Sequence, residues 1–330
     1  MANDKDFKVK NNVQAKRYLE KLGTISSGSV TVGYDMSKMT SSVSSQSNIT
    51  ALAGQEEFDT GNSGATIFAV SSADDAVHSY TMSTAYDLST LSATGDSISV
   101  SSQENAPQGL DIKRDGTSFY IVGSGSDAVY QYDMTTPFDI STASYANKSM
   151  SVSSQDGVPK EVTFSHDGTK CYVGGAANQS IFQYNLSTAW DISTGSYSGN
   201  SFNVSSILNT PDSFDINDTG TIIIGVNAGT NKLHQLNLST AYDISTASDS
   251  GTSFTFPSQR SQVKFSDNGA FVFSFGNPGD DYFSHTSSVA LDTKTLNLST
   301  GSTFNLTPTA SCRVALSNPA ASGTNSGATL

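Results

Sequence analysis

The polar residues that recur at fixed spacing are where chemistry is sought first in this 330-residue chain. Aspartates stand at Asp87, Asp139, Asp191 and Asp243, a constant step of 52. An aromatic residue precedes each one: Tyr86, Phe138, Trp190 and Tyr242. A ring of carboxylates can attract cations, but a ligand cluster needs several oxygens converging on one ion. One Asp per repeat spreads the oxygens apart. An aspartate in a turn also caps its own backbone, and this spacing favours that role. The four aromatics can stack on a sugar, or they can pack over their connector and between neighbouring repeats. They are the candidate ligand-binding residues, and Trp190 leads them as the only tryptophan of the chain.

Other reactive types offer less. His78 and His234 share one register with Tyr130 and Phe182, which marks them as packing residues. His166 precedes an Asp-Gly turn. No histidine or cysteine spacing matches a metal motif. Asp74-Asp75, Asp280-Asp281 and Glu56-Glu57 are adjacent pairs. A glycosidase needs two carboxyls facing each other across a cleft, and nothing in the order of residues marks such a pair. Gly123-Ser-Gly125 and Gly174-Gly175 read as strand-end turns with no helix to receive a phosphate. The expectation is therefore a protein that binds and does not catalyse, with no catalytic residue, no metal and no cofactor.

The elements that position these residues are strands. Self-similarity at a fixed period defines the whole fold when it is present. The connector Ser83-Thr-Ala-Tyr-Asp-Leu-Ser-Thr90 returns at 135–142, 187–194 and 239–246. Val77, Val129, Ile181 and Leu233 keep the same step, as do Tyr80, Tyr132, Tyr184 and Leu236. Gly64, Gly116, Gly168 and Gly220 continue it, and Gly269 arrives three residues early in a more divergent fifth copy. Asp-Gly and Asn-Gly are hairpin signals, because glycine supplies the positive φ. Each copy reads as four strands, exemplified by 109–113, 118–122, 128–134 and 148–152.

The fold class expected is an all-β β-propeller of five full repeats plus a half repeat. The half repeat is Thr31–Met36 with Ser41–Gln46. If the C-terminal segments Cys312–Ser317 and Ser326–Leu330 pair with it, the ring has six blades, with five as the alternative. Closure matters because it removes exposed sheet edges. The domains read as a short N-terminal attachment arm at 1–28, propeller repeats at 29–308, and a tail at 309–330. The tail closes the ring in this reading, while Ser302–Thr309 through Asn318–Gly323 also resembles the start of a further β-domain in phage virion proteins.

Composition bounds the partners. The net charge is −13 and the pI about 4.5. No basic stripe exists to displace counterions, so nucleic acid is not expected. Met1–Lys10 carries no apolar signal core, and no apolar run is long enough to span a bilayer. The expectation is a soluble protein without a cleaved signal or membrane insertion. Cys171 stands where other copies carry Phe or Ile, so it reads as a small core residue rather than half of a disulfide with Cys312.

The connectors, the Val-Ser-Ser-Gln strand ends at 100–103 and 152–155, and Asp167-Gly-Thr-Lys-Cys-Tyr-Val173 together resemble propeller-repeat proteins of marine bacteriophages. Lys5-Asp-Phe-Lys-Val-Lys-Asn11 with Gly23-Thr-Ile-Ser-Ser-Gly28 resembles the N-terminal segment of phage tail-fibre and other virion proteins. The resemblance implies a virion structural protein assembled in the host cytoplasm, in a tail or capsid appendage. Its implied partners are other virion proteins through the N-terminal arm, further copies of itself in the particle, and a host-surface glycan.

Overall fold

The computed structural model describes Met36, residues 55–256, 262–266 and 272–276, and the backbone of 44–46 and 282–285. The chain divides into two units, Met1–Gly33 with Val289–Leu330 and Tyr34–Ser288, and every described residue belongs to the second. The proposed arm at 1–28 and tail at 309–330 lie outside the described residues.

Alternating apolar side chains in short runs bounded by turn residues dictate strands, and strands form. The first copy gives β2 (Glu57–Gly61), β3 (Thr66–Ser71), β4 (Ala76–Met82) and β5 (Leu91–Ser99). The second gives β6 (Pro107–Ile112), β7 (Ser118–Gly123), β8 (Ala128–Met134) and β9 (Ala143–Ser151). The third gives β10 (Pro159–Phe164), β11 (Lys170–Gly175), β12 (Ser180–Leu186) and β13 (Gly195–Asn203). The fourth gives β14 (Phe214–Ile216), β15 (Ile222–Asn227), β16 (Lys232–Leu238) and β17 (Ala247–Thr255). Each set is one antiparallel sheet with its strands in chain order. The described residues contain no α-helix, only short 3-10 turns.

The fifth copy supplies three strands, β18 (Gln262–Phe265), β19 (Val272–Phe275) and β20 (Tyr282–His285). The fourth strand of that sheet is β1 (Ser44–Gln46), from the N-terminal side. Ser44 stands opposite Ser284, and Gln46 opposite Tyr282. The half repeat read from the sequence thus lends its last strand to the fifth copy. Pairing the first strand with the last sheet covers an edge that would otherwise stay open. The C-terminal strands invoked for a sixth unit lie outside the described residues.

The innermost strands meet in a ring: β2 against β6, β6 against β10, β10 against β14, β14 against β18, and β18 against β2. This is the arrangement of a β-propeller. Its cores lie between adjacent sheets. Phe68, Val70 and Val77 of the first sheet pack with Leu110, Phe119 and Ile121 of the second. Phe58 and Ile67 pack with Phe273 and Phe275 of the fifth, and the Phe58 and Phe275 rings meet edge-on. Burial of these side chains, at about 25 cal/mol per Å² of apolar surface, is the main force joining the sheets.

The outer strands β5, β9, β13 and β17 are long, exposed and rich in Ser and Thr. Each breaks register against its neighbour near its middle. There Gly95, Asn147, Gly199 and Gly251 adopt positive φ, again one per 52 residues. A bulge twists an edge strand and keeps it from pairing with another chain.

Candidate functional site

The connectors cap themselves and also reach the preceding sheet: the Ile192 and Ile244 N–H groups donate to the side-chain carbonyls of Gln131 and Gln183, and Lys148 pairs with Asp191. Each aspartate caps a 3-10 turn: Asp87 accepts from the Ser89 N–H, Asp139 from Ser141, Asp191 from Ser193 and Asp243 from Ser245, at 3.0–3.2 Å. Thr90, Thr142, Thr194 and Thr246 close the same turns by donating to the carbonyls of those aspartates. The aspartates cap turns and do not converge on a common point.

The aromatics Tyr86, Phe138, Trp190 and Tyr242 all sit at positive φ, between 60° and 64°. Bulky residues pay for that conformation, and here the compensation is visible. Each aromatic N–H donates to the carbonyl of the turn glycine of its own copy, Gly64, Gly116, Gly168 or Gly220. Each ring then lies on that glycine, so closely that a Cβ there would fall 2.2–2.5 Å from ring atoms. All four rings are half-buried. Trp190 also stacks on Phe164 at 5.3 Å, and its carbonyl accepts from the Tyr120 hydroxyl at 2.6 Å. The Tyr242 carbonyl likewise accepts from the Tyr172 hydroxyl at 2.7 Å. The Tyr242 hydroxyl donates to the Asp218 carbonyl, and burial pushes its pKa up to about 12.

A second polar array, unmarked by the connector motif, lines the inner strands. Asp59, Asp111, Thr163 and Asp215 occupy one register at the step of 52. Asp59 accepts from the Ile112 N–H at 2.8 Å, Asp111 from Phe164 at 2.7 Å, and Asp215 from Phe265 at 2.9 Å. Each carboxylate therefore staples its own inner strand to the next sheet. By this bonding pattern Lys264, just before Phe265, fills the same register in the fifth sheet. Thr163 turns its hydroxyl to Asp215 at 3.0 Å. Beneath this layer lies another, Glu57, Gly109, Glu161, Ser213 and Gln262. Lys264 is 2% exposed and donates to Glu161 at 2.9 Å.

The electrostatics of this hub are one-sided: five buried carboxyls surround one buried ammonium. Burial raises the Asp111 pKa to about 6, with Lys264 opposing and Asp215 assisting. Burial and the Asp111 charge push Asp59 well above the usual carboxylate range. Burial pushes the Lys264 ammonium down, but Glu161, Glu57, Asp215 and Asp59 overcome it and hold the group charged.

On the turn side the hub opens into a small polar mouth. Asp111, Asp215 and Lys264 line its floor, while Arg114, His166 and Trp190 stand higher. Arg114 pairs with Asp218, which joins the turns of the second and fourth sheets. Trp190 is the only connector aromatic lining this mouth. Such an arrangement can position a small hydroxylated or charged group. Among the described residues, no group of three or more His, Cys, Asp or Glu side chains is arranged to hold a metal ion.

Reading the sequence by its connector motif missed the hub. The signal was there, since Asp59, Asp111 and Asp215 keep the period. Thr163 and the shortened fifth copy hide it.

No protein-family model matches the chain, and no curated protein matches it. Solved structures do. A functionally unknown protein from Desulfotomaculum acetoxidans is similar at 14% identity and a TM-score of 0.41, over 59% of this chain and 61% of that one. A Bacteroides uniformis protein provisionally named a 6-phosphogluconolactonase is similar at 9% identity and 0.43, over 66% and 62%. The β-propeller domain of Swd1 from Myceliophteria thermophila is similar at 9% and 0.44, over 75% and 99%. The chain spans about three fifths of the length of the first two. Likenesses at these scores carry no functional argument.

Proposed function

We propose that the chain is a non-catalytic structural protein of a bacteriophage virion, a tail-fibre or other tail or capsid appendage component. In this reading the propeller has five blades, closed through Ser44–Gln46, and it gives a rigid body for contacts with neighbouring subunits and a host surface. Residues 1–28 dock it to the particle. The observation that supports a scaffold is where the repeated polar side chains are spent. The connector aspartates cap turns, and the inner aspartates staple sheet to sheet. The virion assignment rests on the resemblance of the connectors and of Lys5–Asn11 to phage proteins. Mass spectrometry of purified particles tests it, with the chain expected among the virion proteins. Its absence from the particle would sink the assignment.

One observation favours a second reading, a carbohydrate-binding propeller: Trp190 borders a polar mouth. A glycan array with the protein and its Trp190→Ala variant tests this. Loss of binding in the variant supports it, and unchanged binding rejects Trp190 as the contact.

A further inference from the structure

The lower hub layer contains two carboxyl groups whose chemistry is incomplete. Glu57 is 1% exposed and Glu161 is fully buried. The Oε1 atom of Glu57 accepts from the Phe58 N–H at 2.9 Å, and that of Glu161 from the Val162 N–H at 2.9 Å. Lys264 adds its donation to the same Glu161 oxygen. The Oε2 atom of each glutamate has no settled hydrogen-bond partner, although the Ser213 hydroxyl, bonded to the Val263 backbone, stands within reach of Glu57. The two carboxyls come from different sheets yet lie within hydrogen-bonding reach of each other. Gly109 and Ser213 of the layer are small, and Gln262 turns its amide to the Gln55 and Glu56 carbonyls. Gly109 stands between the two glutamates in the ring, and a Cβ there would fall 2.7 Å from the Glu161 Cα.

Two ionised carboxylates cannot bond to each other, since both only accept. Like charges in contact in a buried site force one group to keep its proton. A single proton on the pair turns one Oε2 into a donor and satisfies the other. We propose that Glu57 and Glu161 hold one proton between their Oε2 atoms, so that closure of the propeller ring is linked to proton uptake.

The charged groups facing the pair are consistent with this. Lys264 of the fifth sheet faces both glutamates, and Asp59, Asp111 and Asp215 of the first, second and fourth sheets act on the same ammonium. One ammonium cannot balance five carboxylates, so a retained proton lowers the excess. Burial raises Glu57, opposed by its contact with Glu161 and by Lys264. Burial and the Glu57 charge hold Glu161 well above the usual range. Both pKa values lie above those of the unfolded chain. The pair's stabilisation is therefore full below the ordinary carboxylate range and is lost as pH rises through its folded pKa.

The test is thermal unfolding from about pH 5 to about pH 9 of the whole chain and of Glu57→Gln and Glu161→Gln, each with calcium chloride or with chelator. A glutamine amide replaces the proton as donor to the opposite Oε2. The wild type is expected to lose melting temperature as pH rises, and both variants to give a flatter profile. Infrared spectra at neutral pH should show a protonated-carboxyl band in the wild type that titrates away reversibly on alkalinisation. That measurement stands even if neither variant folds. A neutral-pH wild type without such a band would overturn the proposal. So would variants with the wild-type slope. A melting temperature raised by calcium in the wild type but not in Glu57→Gln would show that the pair holds a metal ion in place of the proton.

Discussion

The connectors and the hub repeat with the same period but use it differently. Four connectors carry almost the same residues and make the same capping bonds, each cap closed within its own copy. The hub register also repeats, but its bonds run from one sheet to the next, and its important members are the departures. Thr163 replaces an aspartate and donates to Asp215, while Lys264 replaces another and reaches down to Glu161. Had every copy kept the aspartate, five like charges would face one axis, a cost no ring could bear without protonation. Local geometry can be copied without limit, whereas a shared centre needs its copies to differ.

Breaking the hub should cost more than breaking a connector, and Lys264 should cost most. Lys264→Met removes the one ammonium that the described residues place among these buried carboxyls, and breaking a buried pair costs about 3–5 kcal/mol. Urea unfolding at neutral pH should show that loss, and lowering the pH should restore part of it as carboxyls are protonated. Asp111 separates charge from hydrogen bonding. Asp111→Ala leaves the Phe164 N–H without its partner and should cost about 1–3 kcal/mol. Asp111→Asn keeps an acceptor and removes a disfavoured charge, so at neutral pH it should match or exceed the wild type in the same measurement. The aspartate's own contribution to stability should fall between its unfolded value near 3.8 and about 6. An unchanged pH profile in Asp111→Asn would refute that assignment.

The connector predictions are smaller. Gly168→Ala places a methyl group against Trp190 at a positive φ, a strain worth about 1–3 kcal/mol. Differential scanning calorimetry should show a lowered melting temperature, and Gly116→Ala, beneath Phe138, should repeat it. Asp139→Ala removes one turn cap and should cost about 1 kcal/mol. If Asp139→Ala proved as damaging as Lys264→Met, the contrast between the two regions would fail.

The strands and the connectors were legible because period-2 alternation and turn residues act locally. Asp139 caps a turn two residues away, so its role can be read from its neighbours. Asp111 bonds Phe164, 53 residues on, and nothing near it in the chain announces the contact. Glu161 was harder still. Its partners Glu57 and Lys264 are 104 and 103 residues away, and its place depends on the missing side chain at Gly109. The origin of the fifth sheet's fourth strand was hidden for a similar reason. Ser44–Gln46 repeats the Ser-Ser-Gln that follows the outer strands of two other copies, at 101–103 and 153–155, and only the ring decides which sheet it joins.

That strand has a mechanical consequence. Ser44 stands opposite Ser284 in antiparallel pairing, so the start of β1 and the finish of β20 lie at the same end of one sheet. Tension between the two flanking segments would therefore unzip β1 from β20 one residue pair at a time, instead of shearing all three pairs together. The remaining sheets would stay slack until that seam had parted, which makes β1 the mechanical fuse of the domain.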